Sequence, residues 1–403
     1  MMELEKVLAV AARVKGSDIH IKSGLVPTIR VDGHLRPIAH AASYTPEFVA
    51  NTALSMMNER QLRVFEENRE VNLSHTAPGL GRYRVSIYRE RGSVAMVLRP
   101  ISQEIPTLEE LNLPPVLKKI CREERGMILV TGTTGCGKSS TLAAMIDIIN
   151  THQTRNIITI EDPIEFLHQD KKSIISQREI GEDTPDYSTA LLGALRQDPD
   201  VILVGEMRDL ETIQTAMIAA ETGHLVMATL HTLDAAEAIN RIISVFPHSL
   251  QRQVRLQLAS ILKGVISQRL VPKADGKGRV PAVEIMLTSA RVKECIDDME
   301  KAKYLSEAIA QGASYGMQSF DQSLMRLHAS QLITYKEALR QSSNPDNFSL
   351  KASGVSSTSD ASMEGFVGAM VDRSQGTEKV EIEIEDRGRP RSRASRPWSS
   401  TPH

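Results

Sequence analysis

Aromatic residues are scarce in this 403-residue chain: Tyr, Phe and a single Trp together make up 4% of it. Single-strand nucleic-acid binding usually relies on aromatic stacking platforms, so that scarcity argues against it. An excess of one charge is lacking as well. Lys plus Arg number 48 against 50 Asp plus Glu, which gives no bulk attraction to nucleic acid or to an anionic membrane. The three cysteines, Cys121, Cys136 and Cys295, form no C-x-x-C pair. A disulfide scaffold and a tetracysteine zinc site are thereby excluded, and a reducing, cytoplasmic setting fits best. No apolar run approaches the ~20 residues of a membrane span, and MMELEKVLAVAARVKGSD is too briefly apolar and wrongly charged for a signal peptide. Direct membrane insertion is not expected, although docking on a membrane complex stays open.

The length accommodates two or three domains. Residues 1–100 read as a small α+β domain. Residues 2–14 have helical spacing, SDIHIKSG alternates like a strand, and Asp32-Gly33 sits between two extended runs as a hairpin turn. One or two amphipathic helices follow from Thr45, and then a second hairpin, GRYRVSIYRERGSVAMVLRPI, in which alternation places Arg82, Arg84, Ser86 and Tyr88 on one face. Residues 101–115, rich in proline, read as a linker. From 116 the pattern changes to short Ile/Val-rich strands alternating with helices: GMILVTG, NIITIED, VILVG and LVMATL. Such an order means a mostly parallel sheet covered on both faces, an α/β nucleotide-binding core. Asp234 with Glu237 reads as a capping box and Gly223 as a helix terminator. Residues 249–271 read as one helix, with further helices at about 289–298, 303–313, 318–331 and 334–342. Residues 346–403 are polar and charged, a composition that cannot build a core, and read as a disordered tail.

The strongest motif is GTTGCGKS, Gly132 to Ser139, which fits the phosphate-loop pattern and follows an apolar strand into a helix. Backbone N–H groups of Gly132, Thr133, Thr134, Gly135, Cys136, Gly137 and the helix start at Ser140 are expected to wrap phosphates. Lys138 reaches the β and γ phosphates, and Ser139 supplies a ligand to Mg2+. ATP is the expected nucleotide. Cys136 reads as a small filler, the alternative being a thiol made reactive by the helix N-terminus.

The stretch VILVGEMRD, residues 201–209, lacks an acid. Nucleotide hydrolases often end this strand in an acidic pair, one for the metal and one for water; here Gly205 stands first and only Glu206 remains. The candidate replacement is the cluster Glu161, Asp162 and Glu165 in IITIEDPIEF, since ligands collect beyond the carboxyl ends of parallel strands. These acids are expected to hold the metal partly through water. Glu206 is then free to polarise the attacking water. His231, at the carboxyl end of LVMATL, is placed to sense the γ-phosphate; His224, at the other end, suggests a subunit contact or plain packing.

Together GTTGCGKSSTLAAM, IITIEDPIEF, DPDVILVGEMRDLETI and AAETGHLVMATLHT resemble the secretion ATPase superfamily, and within it the type IV pilus retraction motors of the PilT and PilU type. The resemblance runs to about residue 347. It implies a homohexamer in which a PAS-like N-terminal domain packs on the RecA-like domain of the next subunit, an inner-membrane platform protein as partner, and in some systems a sister retraction ATPase. It further implies that Glu206 is catalytic, that Glu165 supports metal and water, and that His224 and His231 both serve the site or its interface. Arginines from the N-terminal domain and linker reach the phosphates in this family, and the matching positions are Arg82, Arg84, Arg99 and Arg125. Absence of the four-cysteine zinc subdomain favours the retraction type over assembly and type II secretion ATPases. GEMRDLETI and GMQSFDQ favour the PilT subtype, the polar tail is shared with PilU-like proteins, and SARVKECI at 289–296 departs from the family's Ala-Ile-Arg-x-Leu-Ile. A RecA-like DNA translocase and a non-catalytic regulatory ring remain as alternatives at this stage.

Overall fold

The computed structural model describes residues 3–353. Its first part is helix α1 (Leu4–Arg13), strands β1 (Asp18–Lys22), β2 (Thr28–Val31) and β3 (His34–Pro37), helices α2 (Pro46–Met56) and α3 (Glu59–Asn68), and strands β4 (Glu70–Ala77), β5 (Gly81–Glu90) and β6 (Ser93–Pro100). The strands form one antiparallel sheet in the order β3-β2-β1-β6-β5-β4. Asp32 and Gly33 both take positive φ, as the two-residue turn requires. On β5 the alternation holds, with Tyr83, Val85 and Ile87 buried and Arg84 exposed. Strand β4 was not expected from the sequence; its core face is carried by Val71, Leu73 and Ala77 alone.

The second part comprises α4 (Val116–Ile120), β7 (Gly126–Thr131), α5 (Lys138–His152), β8 (Asn156–Glu161), β9 (Ile174–Glu179), α6 (Tyr187–Ala194), β10 (Val201–Val204) and α7 (Leu210–Glu221). It continues with β11 (Leu225–Leu230), α8 (Ala235–Ser244), α9 (His248–Ile261), β12 (Leu262–Pro272), β13 (Arg279–Leu287), α10 (Ala290–Asp297), α11 (Leu305–Ala310), α12 (Phe320–Ala329), α13 (Tyr335–Gln341) and α14 (Pro345–Ala352). The sheet order is β13-β12-β7-β11-β10-β8-β9, parallel except for β13. Both faces are covered, as the Ile/Val runs require. Met127 and Leu129 of β7 pack into one apolar cluster with α6 to α10, whereas Ile128 and Val130 pack into another with α5 and the linker residues Leu108 and Leu113.

Three expectations need correction. The helix expected over 249–271 stops at Ile261, and the chain runs on as β12, parallel to β7. Because β12 is buried on both faces it shows no alternation, and an unbroken apolar run cannot by itself distinguish strand from helix. The capping box at α8 is incomplete: Asp234 accepts from the Glu237 N–H, but the Glu237 carboxylate reaches back to the N–H of Leu233 instead. Residues 346–352, assigned by composition to the tail, belong instead to α14 (Pro345–Ala352), which buries Phe348 against α12 and α13 residues. The remainder of that expected tail lies outside the described residues.

No buried apolar cluster among the described residues spans the two sheets: one cluster holds residues up to Leu98, the others only residues from Leu108 onward. The two parts meet instead through polar contacts. Arg60 donates to the carbonyl of Gly181 (3.0 Å), Gln61 to Glu182 (2.6 Å), and Ser74 (2.6 Å) and Arg82 (3.3 Å) both donate to the buried Glu179. No helix among the described residues is long and apolar enough to cross a membrane.

Candidate active site

Five neighbouring strands bring residues at or beyond their ends to one edge of the second sheet. The register runs Ser267 of β12 beside Thr131 of β7, Thr131 beside Leu230 of β11, Ala228 beside Val204 of β10, and Val204 beside Ile160 of β8. Beyond those positions lie, in spatial order, Gln268, the loop Gly132–Ser139, His231, Glu206 and the acids Glu161, Asp162 and Glu165.

The loop is held open by its glycines and by one side chain that the sequence did not reveal. Gly132, Gly135 and Gly137 all have positive φ. A Cβ on Gly132 would fall 2.4 Å from the Gln268 carbonyl oxygen and 2.6 Å from Cys136 Sγ. The buried Gln268 amide donates to the Cys136 carbonyl (2.7 Å) and its oxygen accepts from Thr141 Oγ1 (2.8 Å), which ties loop and helix α5 to β12. Lys138 is buried, and its Nζ donates to the carbonyls of Gly132 (2.8 Å) and Thr133 (3.2 Å). Its ammonium therefore lies on the inner side of the loop, as phosphate binding needs. Cys136 is buried and burial pushes its thiol up, against a smaller opposing pull from Lys138. A filler is what this geometry describes.

For Gly132→Ala we expect loss of nucleotide binding together with a stability loss of about 2–4 kcal/mol. The methyl group adds overpacking against backbone to a φ that L-residues avoid. Chemical denaturation with an unchanged m-value and an unshifted midpoint would contradict this.

Glu206 follows β10 directly. Burial pushes its carboxyl up, but the hydrogen bond from Arg208 (Nη2 to Oε2, 2.6 Å) and the charge of His231 outweigh that and leave it below the ordinary carboxylate range. His231 Nε2 lies 3.1 Å from the other oxygen, Oε1. Arg208 was not singled out by the sequence reading; its alternation with Glu206 in GEMRD is the only signal for it. Gly205 leaves little room for a side chain. A Cβ there would stand 3.0 Å from the Ile160 carbonyl oxygen, 3.0 Å from the Tyr187 hydroxyl and 3.2 Å from Glu161 Cα.

Among the acids, Glu161 is occupied within the sheet: its Oε1 accepts from Thr159 Oγ1 (2.6 Å) and Gln177 Nε2 (3.2 Å), and burial pushes its carboxyl up. Asp162 and Glu165 are exposed. No group of three or more His, Cys, Asp or Glu able to cage a metal exists among the described residues. A hydroxyl (Ser139) and two exposed carboxylates on the same sheet edge suit an ion that keeps most of its water and takes phosphate oxygens, which is how magnesium binds.

The arginines and His224 are distributed differently. Arg82 is paired with Glu179, and Arg99 donates twice to Asp18 (2.6 and 2.9 Å). Arg84 is exposed and has no partner among the described residues; it stands directly across from Arg99 in the β5–β6 register. Arg125 and His224 lie at the opposite edge of the second sheet, where the Gly126 N–H donates to the His224 carbonyl (3.0 Å). A strand of six residues, roughly 16 Å, separates them from their own chain's phosphate loop. His224 Nδ1 lies 2.9 Å from the Ala219 carbonyl oxygen.

Another residue missed by the sequence reading is Glu284 of β13, whose Oε1 accepts from the Ala235 N–H (2.9 Å) and so caps α8, the helix after His231. Burial raises its carboxyl to about 7, reinforced by Asp234. The folded state thus holds the proton more tightly than the unfolded chain, whose carboxyl titrates near 4.5. Stability is undiminished below that value and declines as pH rises through 7. Glu284→Gln keeps the acceptor and removes the penalty, so we expect it to raise stability at pH 8 by on the order of 1–3 kcal/mol, seen as a higher melting temperature, and to leave stability unchanged at pH 4. Equal gains at both pH values would show that titration is not involved.

The family model for type II/IV secretion system proteins matches residues 2–344. The chain belongs to that family. Within it, the chain is 44% identical over 347 residues to the type IV pilus retractation ATPase PilT of Pseudomonas aeruginosa, covering 86% of this chain and 100% of that one. It is 43% identical over 349 residues to the type IV pilus ATPase PilU of the same organism, covering 87% and 91%. The crystal structure of the pilus retraction motor PilT with bound ADP superposes with a TM-score of 0.79 at 43% identity over 86% of this chain and 99% of that one. The Legionella pneumophila ATPase DotB superposes with a TM-score of 0.73 at 26% identity. The expected α/β architecture, a RecA-like core behind a smaller N-terminal α+β domain, is met.

Proposed function

We propose that this chain is the ATP-hydrolysing motor of type IV pilus retraction. The observation that carries the reading is the single sheet edge on which the phosphate loop, His231, Glu206 and the acids of the β8 end stand side by side, in a secretion-family chain with near full-length identity to PilT and PilU.

The loop amides and Lys138 bind the β and γ phosphates, and the N-terminus of α5 adds its partial positive charge. Glu206 is ionised and polarises the attacking water; His231, against its second oxygen, holds the carboxylate in orientation and monitors the γ-phosphate. Ser139, Asp162 and Glu165 are the residues that would hold magnesium, the two carboxylates through water, and such an ion would supply positive charge against the phosphates. Glu161 supports the acids from within the sheet and is the weakest metal candidate of the three.

Chains assemble as a homohexamer, so that Arg84 reaches a neighbour's phosphates across the subunit boundary while Arg82 and Arg99 order the strand face around it. Arg125 and His224 serve the subunit interface. The ring works in the cytoplasm against an inner-membrane platform protein, and a sister retraction ATPase is an expected companion.

Deleting the gene is the test. Surface pili that persist without retracting support a retraction motor; loss of pili altogether would mean an assembly motor.

A further inference from the structure

Gly205 stands where many nucleotide hydrolases place a metal-supporting aspartate, and the structure shows what fills that place. Tyr187, the first residue of α6, packs its ring against the core cluster and brings its hydroxyl to 3.0 Å from the position where a Cβ of residue 205 would begin. The charges of Asp162, Glu206 and Glu161 all bear on that hydroxyl, with Arg208 opposing them. The hydroxyl therefore stands at the end of β10, beside the residue that precedes Glu206. No hydrogen bond from Tyr187 Oη to any described residue is present, although the side chain is only partly exposed. A phenol anchored by its ring at the Gly205 end of β10, and without a hydrogen-bond partner among the described residues, is placed to hold a water.

We propose that Tyr187 is a positioning residue of the hydrolytic site, its hydroxyl replacing the absent strand-end carboxylate by hydrogen-bonding a water of the hydrated metal between Asp162 and Glu206. The replacement is neutral. A hydroxyl both donates and accepts, whereas a carboxylate only accepts, so Tyr187 orients that water without adding a fourth negative charge to a site that already holds three acids. The proposal rests on the magnesium-dependent hydrolysis argued above.

The test uses full-length protein with Tyr187→Phe, which keeps the ring and its packing. Affinity for a fluorescent ATP analogue is titrated in EDTA and then against magnesium, and steady-state hydrolysis is followed at saturating nucleotide. Affinity in EDTA and the melting temperature are expected to equal those of the wild type. The magnesium concentration for half-maximal tightening is expected to rise about fivefold, the effect of one lost hydrogen bond of ordinary strength, and the turnover number to fall with little change in KM. A variant with the wild-type magnesium midpoint overturns the role of Tyr187. Wild-type binding and turnover indifferent to magnesium would overturn the metal reading itself, and the tyrosine proposal with it.

Discussion

Glu206→Gln is expected to lower ATP turnover by about 10²–10⁴-fold while leaving nucleotide affinity near its wild-type value. The amide is isosteric and can still contact Arg208, but it cannot polarise water as a carboxylate does. Two structural facts make the prediction sharp. Glu206 is held below the ordinary carboxylate range by Arg208 and His231 once burial has been overcome. The proposed base is therefore charged near neutrality, and the acid limb of the activity profile should fall below the usual carboxylate range. Moreover, Gly205 gives no second acid on the same strand that might take over. Steady-state hydrolysis alongside equilibrium binding of a labelled nucleotide checks both halves. Equal turnover in the two proteins would remove Glu206 from the chemistry.

Arg84→Ala is expected to cost hydrolysis at least about hundredfold, within the range an arginine delivered in trans can supply. Unlike Arg82 and Arg99, Arg84 makes no bond within its own chain among the described residues, so its removal should leave fold and nucleotide affinity intact. The trans assignment has its own check. Mixing Arg84→Ala with Glu206→Gln protein, each inactive alone, should restore turnover, because an interface then pairs the first protein's Glu206 with the second's Arg84. A mixture as inactive as its components would confine Arg84 to its own chain, and full activity in the single variant would discard the role.

Much of this site was legible from local pattern. The phosphate loop, the Ile/Val strands and the strand-end acids declare themselves because each is encoded by a few consecutive residues. Gln268, Tyr187, Arg208 and Glu284 were not legible, because tertiary register gives them their roles: Gln268 reaches the loop only because β12 lies beside β7, a pairing hidden in a run that also satisfies helical spacing. Strand β9 escaped notice as IISQRE, a short edge strand with only one neighbour. The missing acid was visible at once in VILVGEMRD, yet nothing in those nine residues says that a tyrosine from another helix stands in its place.

The seam between the two parts of the chain has a thermodynamic consequence. Among the described residues it is carried by Arg60, Gln61, Ser74 and Arg82 bonded to residues 179–182, and no apolar cluster spans it. Parting the two domains trades these bonds for bonds to water and uncovers little hydrocarbon, so the opening carries a small heat-capacity change and varies little with temperature. Salt weakens its charged pair, leaving each domain's own packing untouched. Such a joint can come apart without either half beginning to unfold.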